Sequence, residues 1–259
     1  MRKRPACSVA LATCNGEPWI ARQLGSILDQ LGPDDEVVVA DASSSDGTLS
    51  IIESFSDDRV RILRDLPRGD IPGTFERALR ECRGDFVFLS DQDDVWLPGK
   101  VERCVQALSD APEELLLHDA RIVDADGIEI APSFLDRIGF RAGVFANLWK
   151  PAYLGCALCA QRSLLDRALP FPRKVPMHDW WLGLLAEKGD GVLVLREALI
   201  LHRRHGRNAS YGPGESRYGL FKRLWMRASI WVSVQGRHRA SRRRQYESRS
   251  RETEGNREG

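Results

Sequence analysis

The stretch FVFLSDQDDVW (residues 86–96) places three carboxylates directly after an apolar run. The run has the composition of a buried strand, and Asp91, Asp93 and Asp94 follow it at once. Repulsion between like charges and loss of solvent both oppose such an arrangement, because each favours the neutral acid. A bound divalent cation is the simplest remedy, since hard cations prefer carboxylate oxygens. We therefore predict a metal site at the mouth of this strand.

Short apolar runs alternate with amphipathic segments through the first hundred residues. The strand-like runs are 7–14, 35–43, 59–63 and 85–91, and the helix-like segments are 17–31, 45–55 and 73–82. The first run ends at Asn15-Gly16, a turn signal, and Ser45 or Asp46 is a candidate cap for the second helix. The alternation predicts an α/β fold with a mainly parallel sheet flanked by helices.

Ligands of such sheets bind at the carboxyl ends of the strands, and several polar residues are predicted to lie there. Asp41 ends the second run, Asp91 ends the fourth, and Thr13, Asn15 and Glu17 follow the first. The glycines nearby match neither a dinucleotide fingerprint nor a phosphate-binding loop, so a cation is the expected partner of any phosphate. Aspartates at strand ends are also common loop residues, and the D-x-D pattern alone leaves that alternative open.

Several segments together resemble a known family. VVVADASSSDGT (37–48) and FVFLSDQDDVWLPGK (86–100) resemble the family 2 inverting glycosyltransferases of GT-A fold, and SDQDDVW resembles their bacterial rhamnosyltransferase-like members. YLGCALCAQRSLLDRALPFP, MHDWWLGLLA and LILHRRHGRNAS follow in the order of that group. The resemblance runs from about Cys7 to Ser210. It implies one domain over 1–214, with a nucleotide-binding half (about 1–100) and an acceptor half (about 101–214).

The resemblance implies roles for the carboxylates. In the family the D-x-D pair binds a divalent metal, Mn²⁺ or Mg²⁺, and the diphosphate of the donor, which assigns these roles to Asp91 and Asp93. Asp94 is then a supporting residue of the substrate site. The aspartate after the second strand contacts the nucleoside, which assigns Asp41. Many members carry a second Asp beside it, whereas this chain has Ala42.

The turn after the first strand walls the base pocket in the family, which assigns Thr13, Asn15 and Glu17 to nucleotide binding. Arg68 and Thr74 stand where relatives tend to carry asparagine. The resemblance therefore leaves the choice of nucleotide open.

The segment MHDWWLGLL (177–185) allows two interpretations. It is a helix N-terminus with Asp179 near the positive end of the helix dipole and tryptophans in the core. Alternatively, Asp179 is a general base and a tryptophan lies under a sugar ring. The family places its catalytic base here, which favours the second interpretation. His178, Trp180 and Gly155 are then assigned to the substrate site.

The segment LHRRHGRNAS (201–210) is a cluster of basic residues predicted to form a loop. It is either a solvated surface loop or a loop that closes over the bound donor. Its family counterpart lies near the diphosphate, which implies that His205 completes the metal shell and that Arg204 contacts phosphate.

Charge is distributed unevenly along the chain. Residues 215–259 hold 12 Lys/Arg and 5 acidic residues, whereas residues 1–214 hold 26 and 32. We predict a basic amphipathic helix over 215–246 and a disordered tail over 247–259. One helical stripe combines Phe221, Leu224, Trp225, Ala228 and Trp231 or Val232. The stripe either packs on the body or binds anionic lipid as a peripheral membrane contact.

The six cysteines lie in apolar contexts, which is typical of reduced, buried thiols. Cys156 and Cys159 form a C-x-x-C without a second pair at zinc spacing, which favours packing over metal binding. Neither a signal peptide nor an apolar run of membrane-spanning length is found. The sequence therefore predicts a cytoplasmic protein, with the inner face of the plasma membrane as its candidate peripheral site.

Together these features predict a metal-dependent inverting glycosyltransferase. It would move rhamnose or a similar sugar from a nucleoside-diphosphate donor to a hydroxyl of a cell-surface glycan precursor, either free or lipid-linked. Carboxylates at strand ends also serve phosphoryl chemistry, so a nucleotidyltransferase or phosphohydrolase is an alternative. A non-catalytic nucleotide-sugar binder is another. The acidic body argues against nucleic acid as a partner.

Overall fold

The computed structural model describes residues 5–173, 175–206 and 219–255. The strands are β1 (Cys7–Thr13), β2 (Glu36–Asp41), β3 (Val60–Leu63), β4 (Phe86–Asp91), β5 (Val95–Trp96), β6 (Leu115–Val123), β7 (Glu129–Ala131), β8 (Leu158–Gln161) and β9 (Val192–Arg203). The helices are α1 (Ile20–Leu28), α2 (Thr48–Ser54), α3 (Ile71–Glu81), α4 (Lys100–Ser109), α5 (Phe134–Ile138), α6 (Val144–Trp149), α7 (Arg162–Ala168), α8 (His178–Lys188) and α9 (Leu220–Gly255).

One mixed sheet organises the described residues. Its strands follow the order β3-β2-β1-β4-β8-β6-β9-β5, and β7 pairs with β6. The first four are parallel, as are β6 and β9, whereas β8, β5 and β7 pair antiparallel. The predicted α/β fold with a mainly parallel sheet is confirmed. Unbroken apolar runs form β1, β2 and β4 because helices cover both faces of such a sheet.

The core lies between this sheet and its helices. Val9 and Leu11 of β1 and Phe88 of β4 are fully buried. On α1, Ile20 and Leu24 are fully buried and begin the apolar stripe that the sequence predicts for this helix. The burial of complete strands fixes their register, and with it the position of each carboxyl end.

The start of α2 differs from the predicted cap. Gly47 occupies the cap position, and no side chain caps the helix from there. Asp46 nevertheless accepts a hydrogen bond from the backbone N–H of Thr48 at 3.1 Å. Ser45 instead donates its backbone N–H to Asn15. The sequence identified the segment in which α2 begins, but the contacts of the loop decided which side chain accepts a hydrogen bond from the first turn of the helix.

The C-terminal helix runs from Leu220 to Gly255 and so extends past residue 246, where the helix was predicted to end. Among the side chains of α9 whose burial is described, Ile230 and Val234 are buried, with Met226 packed beside them. The stripe for which the sequence left packing and lipid contact open lies mainly on the exposed side. Helical periodicity gives α9 two apolar faces, and the shape of the body decides which one packs. None of the helices in the described parts of the chain is long and apolar enough to cross a membrane.

Candidate active site

The carboxyl ends of β1, β2 and β4 meet at one edge of the sheet. The register pairs Thr13 with Asp41 and Ala12 with Asp91. The parallel arrangement thereby brings together residues that are far apart in the sequence. This edge holds the polar residues of β1 and β2 that the sequence assigned to it.

Asp41 organises the nucleotide side of the edge. Its carboxylate is fully buried and accepts hydrogen bonds from the hydroxyls of Thr13 at 2.9 Å and Ser44 at 2.6 Å. Its second oxygen accepts the backbone N–H of Ser44 at 2.8 Å. These bonds fix the loop after β2 against β1. The contacts of Asp41 and Thr13 with a nucleoside remain predictions.

The turn after β1 and the loop after β2 are joined by hydrogen bonds and form one continuous surface at this edge of the sheet. Asn15 has a φ of 52°, a left-handed conformation that asparagine tolerates, and its Oδ1 accepts the backbone N–H of Ser45 at 2.8 Å. Glu17 accepts the backbone N–H of Gly47 at 2.9 Å. The predicted roles of Asn15 and Glu17 in nucleotide binding are therefore compatible with their position.

The three aspartates after β4 have different surroundings. Asp91 is half-buried, and within the described residues no hydrogen bond reaches its carboxylate. Burial, followed by the charges of Asp94 and Asp93, raises the pKa of Asp91 well above its usual value. Burial and the charge of Asp94 also raise the pKa of Asp93. Ionisation of these carboxyl groups is thus unfavourable in the protein alone, and a bound cation would stabilise their charged forms.

Asp94 is held in an internal network. Its Oδ1 lies 3.0 Å from Nδ1 of His202 and accepts the backbone N–H of Arg203 at 3.0 Å. Burial opposes its ionisation, yet the charge and hydrogen bond of His202 lower the pKa of Asp94 overall. Burial acts against the protonation of His202 as well, but Asp94 raises the pKa of that imidazole overall. This pairing supports the positioning role predicted for Asp94.

His205 lies beside the carboxylate of Asp93, and its place in a metal shell stays a prediction. Its Nε2 lies 2.8 Å from Oδ2 of Asp93, and its ring stacks on Trp19 with 4.1 Å between the ring centroids. A pocket of about 360 Å³ borders Asp93 and Trp19 on this side. Asp93 therefore borders a surface pocket, although most of its side chain is buried.

Sequence reasoning missed the role of Arg203. Strand β9 continues to this residue, so His202 and Arg203 belong to a strand and not to the predicted loop. The buried guanidinium donates to the carbonyl oxygens of Asp93 at 3.1 Å and Ala125 at 2.7 Å. Arg203 thereby fixes the backbone that carries the aspartates. The apolar run 198–201 directly before His202 was a signal that the strand continues, but no local signal pointed to the contacts of Arg203.

Arg204 follows at the end of β9. It is half-buried, and its backbone N–H donates to the carbonyl of Val123 at 2.8 Å. Its contact with phosphate stays a prediction.

Asp179 lies in the first turn of α8. Its Oδ1 accepts the backbone N–H of Trp180 at 2.6 Å, and burial raises the pKa of its carboxyl to about 6. A Cβ at Gly155 would lie 3.8 Å from Cβ of Asp179. The next residue, Cys156, has its sulfur within 4.8 Å of a carboxylate oxygen of Asp94. The residue predicted as the base therefore lies in the same region of the fold as the carboxylate cluster.

Gly155 packs against the start of α8. A Cβ at this position would lie 2.7 Å from Nε2 of His178 and 3.8 Å from Cβ of Asp179, so only glycine fits without movement. His178 is buried and stacks on Phe75 with 3.8 Å between ring centroids, and burial lowers its pKa to about 3. Both residues shape the surroundings of Asp179, while their direct contact with substrate stays a prediction.

Trp180 and Trp181 are packed in the core. The side chain of Trp180 is 5% exposed, and its Nε1 donates to the carbonyl of Asn147 at 2.9 Å. Trp181 is fully buried. Because α8 packs between α6 and α7, this burial favours the interpretation of both tryptophans as packing residues. Contact of Trp180 with substrate stays a prediction.

The donor set at this edge fits a hard divalent cation. Asp91 and Asp93 supply carboxylate oxygens, and Mn²⁺ and Mg²⁺ prefer such ligands. Oδ2 of Asp94 is buried, and the described residues give it no hydrogen-bond partner. Asp94, Cys156 and His202 also lie close enough together to hold a metal. Burial raises the pKa of the Cys156 thiol well above its usual value, which favours the protonated form. Asp91 and Asp93 therefore fit a hard divalent cation better than this buried trio does, and their role as metal ligands stays a prediction.

A curled, mainly parallel sheet with an acidic cluster at its carboxyl edge defines the GT-A class of nucleotide-sugar enzymes. The comparison with known families agrees. The family model "Glycosyl transferase family 2" matches residues 8–167, which is more than half of the chain, and the protein belongs to this family. As a member of this family, it is a glycosyltransferase.

Relatives that match most of this chain and most of their own length are named for different sugars and glycans. The dTDP-rhamnosyl transferase RfbG of Shigella flexneri is 26% identical over 85% of this chain and 82% of its own. The UDP-Glc:alpha-D-GlcNAc-diphosphoundecaprenol beta-1,3-glucosyltransferase WfgD of Escherichia coli is 24% identical over 84% and 83%. The teichuronic acid biosynthesis glycosyltransferase TuaG of Bacillus subtilis, a putative assignment, is 23% identical over 93% and 98%.

Solved structures share the fold. TarS 1–349 of S. aureus in complex with UDP-GlcNAc superposes with a TM-score of 0.65 at 20% identity, over 87% of this chain and 66% of that one. The mannosyltransferase PcManGT of Pyrobaculum calidifontis, in complex with GDP-Man and Mn²⁺, has a TM-score of 0.62 at 23% identity, over 80% and 59%. The chain thus spans about three fifths to two thirds of these proteins.

Proposed function

We propose that this enzyme transfers rhamnose or a similar sugar from a nucleoside-diphosphate donor to a hydroxyl of a cell-surface glycan precursor, in one inverting displacement. The observation that carries the proposal is the relation between Asp179 and the cluster of Asp91 and Asp93. A carboxyl group whose pKa burial raises to about 6 lies in the same region of the fold as carboxylates suited to hold a cation. The name of RfbG, a dTDP-rhamnosyl transferase, supports the choice of sugar.

Asp91 and Asp93 would hold Mn²⁺ or Mg²⁺, and His205 would join them when its contact with Asp93 rearranges. When bound, the cation acts as a Lewis acid that stabilises negative charge on the departing nucleoside diphosphate. The complex of PcManGT with GDP-Man and Mn²⁺ supports a metal in this class of site. Arg203 holds the backbone of Asp93 in place by donating to its carbonyl oxygen. Asp94 is held beside it by its contact with the imidazole of His202.

Asp179 would remove the proton from the acceptor hydroxyl as that oxygen attacks the sugar. A general base works best with a pKa near the working pH, and burial brings the pKa of Asp179 to about 6. The carboxylate is therefore ionised at neutral pH and still basic enough to accept a proton. The backbone N–H of Trp180 orients it.

The stereochemistry follows from the positions of the two groups. The acceptor approaches from the side of Asp179, and the diphosphate departs on the side of Asp91 and Asp93. A single displacement inverts the anomeric carbon. No side chain has to form a covalent intermediate with the sugar.

The acceptor is proposed to be a glycan precursor attached to a lipid. WfgD acts on an acceptor named alpha-D-GlcNAc-diphosphoundecaprenol, which supports this choice. Such an acceptor would place the enzyme at the cytoplasmic face of the plasma membrane.

The test is product analysis with the full chain. The protein is incubated with dTDP-rhamnose and, in parallel, with UDP-glucose, UDP-GlcNAc and GDP-mannose, each with Mn²⁺, with Mg²⁺ or with chelator. A thermal-shift panel of the same sugar nucleotides identifies the donor that binds, since a ligand of the folded state raises the melting temperature. Sugar transfer releases an intact nucleoside diphosphate, and NMR of the product gives the anomeric configuration.

Release of pyrophosphate would instead identify a nucleotidyltransferase. Retention of the anomeric configuration would reject the single displacement. Asp179→Asn is the matched inactive variant, and Asp166→Asn, on the exposed side of α7, is the control for loss of one carboxylate.

A further inference from the structure

Large apolar side chains remain exposed on α6 and on the first half of α9. Phe145 is 81% exposed and Trp149 is 71% exposed on α6, and Phe221 is 89% exposed on α9. We call this surface the aromatic face. Its members are Phe145, Trp149, Phe221, Leu224, Trp225 and Val232. Exposed apolar residues that cluster in this way mark a surface for interaction.

The two helices present one continuous surface. Arg227 of α9 donates to the carbonyl of Leu148 at 3.1 Å, and its guanidinium lies 5.0 Å from the ring of Trp149. The rings of Phe145 and Trp231 lie 6.4 Å apart. Since residues three apart are neighbours on a helix, Leu224 lies next to Arg227. The exposed stripe of α9 therefore borders the exposed aromatic residues of α6.

The two segments that carry the aromatic face contribute charge of one sign. No aspartate or glutamate occurs in residues 137–165 and 216–246. Arg141 and Lys150 flank the exposed residues of α6 and are themselves exposed, and Arg239 is exposed further along α9. The acidic residue Glu187 of α8 lies at the start of α6, where it accepts a backbone N–H at 2.6 Å.

Excess positive charge beside amphipathic aromatic side chains complements an anionic lipid surface, where the rings lie at headgroup level and the cations meet phosphates.

We propose that the aromatic face docks on an anionic lipid bilayer and inserts its rings at the headgroup level. α9 packs on the body through Ile230 and Val234, so the opposite apolar stripe is available while the helix stays attached. The two uses that the sequence leaves open for this helix, packing and lipid contact, are then served by two different faces.

The docked surface adjoins the acceptor side of the site. The carbonyl of Asn147, in the middle of α6, accepts the indole N–H of Trp180 at 2.9 Å, and Trp180 directly follows Asp179. Contact of α6 with a bilayer would thus bring the base close to lipid-borne hydroxyls. This consequence rests on the proposed function, whereas the docking itself does not.

The test is co-sedimentation of the full chain with vesicles of phosphatidylglycerol and phosphatidylcholine, and with vesicles of phosphatidylcholine alone. Binding is expected on the anionic vesicles and is expected to fall as salt is raised, because salt screens the attraction. The double variant Phe145→Ser/Trp149→Ser should lower the partition coefficient at least about tenfold, since each ring buries a large apolar area. Arg141→Glu/Arg239→Glu should lower it at least about fivefold per charge.

The matched control is Ile128→Ser/Ile130→Ser, which removes exposed apolar side chains from β7 and from the residue before it and should leave vesicle binding unchanged. All of the substituted side chains are exposed, so the melting temperature of every variant should stay close to that of the parent. Vesicle binding that is the same in the aromatic double variant and in the parent would overturn the proposal. A parent chain that is dimeric in light scattering and becomes monomeric in that variant would assign the face to a second copy instead.

Vesicle binding and sugar transfer are measured separately. Loss of vesicle binding with intact binding of the sugar nucleotide locates the effect in the aromatic face. Vesicle binding by a chain that transfers no sugar would leave the docking surface standing and reject the proposed function alone.

Discussion

Nε2 of His205 lies 2.8 Å from Oδ2 of Asp93, and the same imidazole stacks on the indole of Trp19. The pair joins the end of the described part of the β9 segment to the carboxylate cluster after β4. A cation at Asp93 would compete with His205 for this carboxylate or share it. The relation therefore couples the position of the segment after β9 to the metal site.

Replacing His205 by alanine should weaken metal binding about 10–100-fold, the usual cost of losing a supporting group at a metal site. The metal concentration that gives half-maximal activity should rise accordingly, and donor affinity at subsaturating metal should fall. Titration of activity with Mn²⁺ measures the first effect and isothermal calorimetry the second. Arg204→Ala, the neighbouring substitution, should alter donor affinity without moving the metal requirement. Metal and donor titrations identical to those of the parent would remove His205 from the site.

Asp179→Asn should lower kcat by about 10²–10⁴-fold, the usual contribution of a general base. The amide oxygen can still accept the N–H of Trp180, so the local structure should persist. Binding of the nucleoside diphosphate should be unchanged in a thermal-shift assay. If Asp179→Asn kept more than about a tenth of the parental kcat, another group would have to be the base. Asp166→Asn provides the control.

The pH profile follows from the pKa of Asp179. A base must be ionised to accept a proton, so kcat/KM should rise as pH passes about 6 and then level off. The raised pKa of Asp179 also lowers the free energy of unfolding at neutral pH. The folded state disfavours the charged carboxylate, so it binds more protons than the unfolded state between pH 4 and 6, and stability falls as pH rises through this window.

Asp179→Asn should remove that loss. Its melting temperature should exceed that of the parent at pH 8 and match it near pH 4, with a difference of up to about 3 kcal/mol in the free energy of unfolding. Differential scanning calorimetry at the two pH values measures this difference. Equal gains at both pH values would mean that burial does not raise the pKa of Asp179.

Gly155→Ala should disturb the start of α8. The added Cβ would lie 2.7 Å from Nε2 of His178, which stacks on Phe75 and has little room to move. We expect a loss of about 1–3 kcal/mol in stability and a fall in kcat that exceeds any change in nucleotide binding. Gly236→Ala is the control, because nothing lies within 4 Å of the added Cβ and alanine favours the helix. A stable, fully active Gly155→Ala variant would contradict this assignment.

The sequence predicted the parallel strands because unbroken apolar runs such as 7–14 have few alternatives to a buried strand. It also predicted that Asp41 and Asp91 meet at one edge, since parallel strands present their carboxyl ends together. The role of Arg203 was not predictable in this way. Its contacts with the carbonyls of Asp93 and Ala125 join residues that are about 80 to 110 positions apart. Contacts between residues so far apart in the sequence depend on how the strands pair in the sheet, and the local sequence pattern does not specify them.

The two tryptophans after Asp179 illustrate the same limit. An indole on a helix has one local pattern whether it faces a ligand or the core. The packing of α8 beside α6 decided that Trp180 is buried and bonded to Asn147.

By itself, the sequence determined the alternation of strands and helices, the edge where the carboxylates gather and the presence of an aromatic, basic C-terminal helix, because these depend on periodicity and composition within short segments. Only the tertiary structure decided that Asp179 shares a region with Asp91, that Asp94 pairs with His202 and that α9 turns its predicted stripe to the solvent. Those outcomes depend on which surfaces pack together across the whole chain, and the pattern within a short segment does not determine that packing.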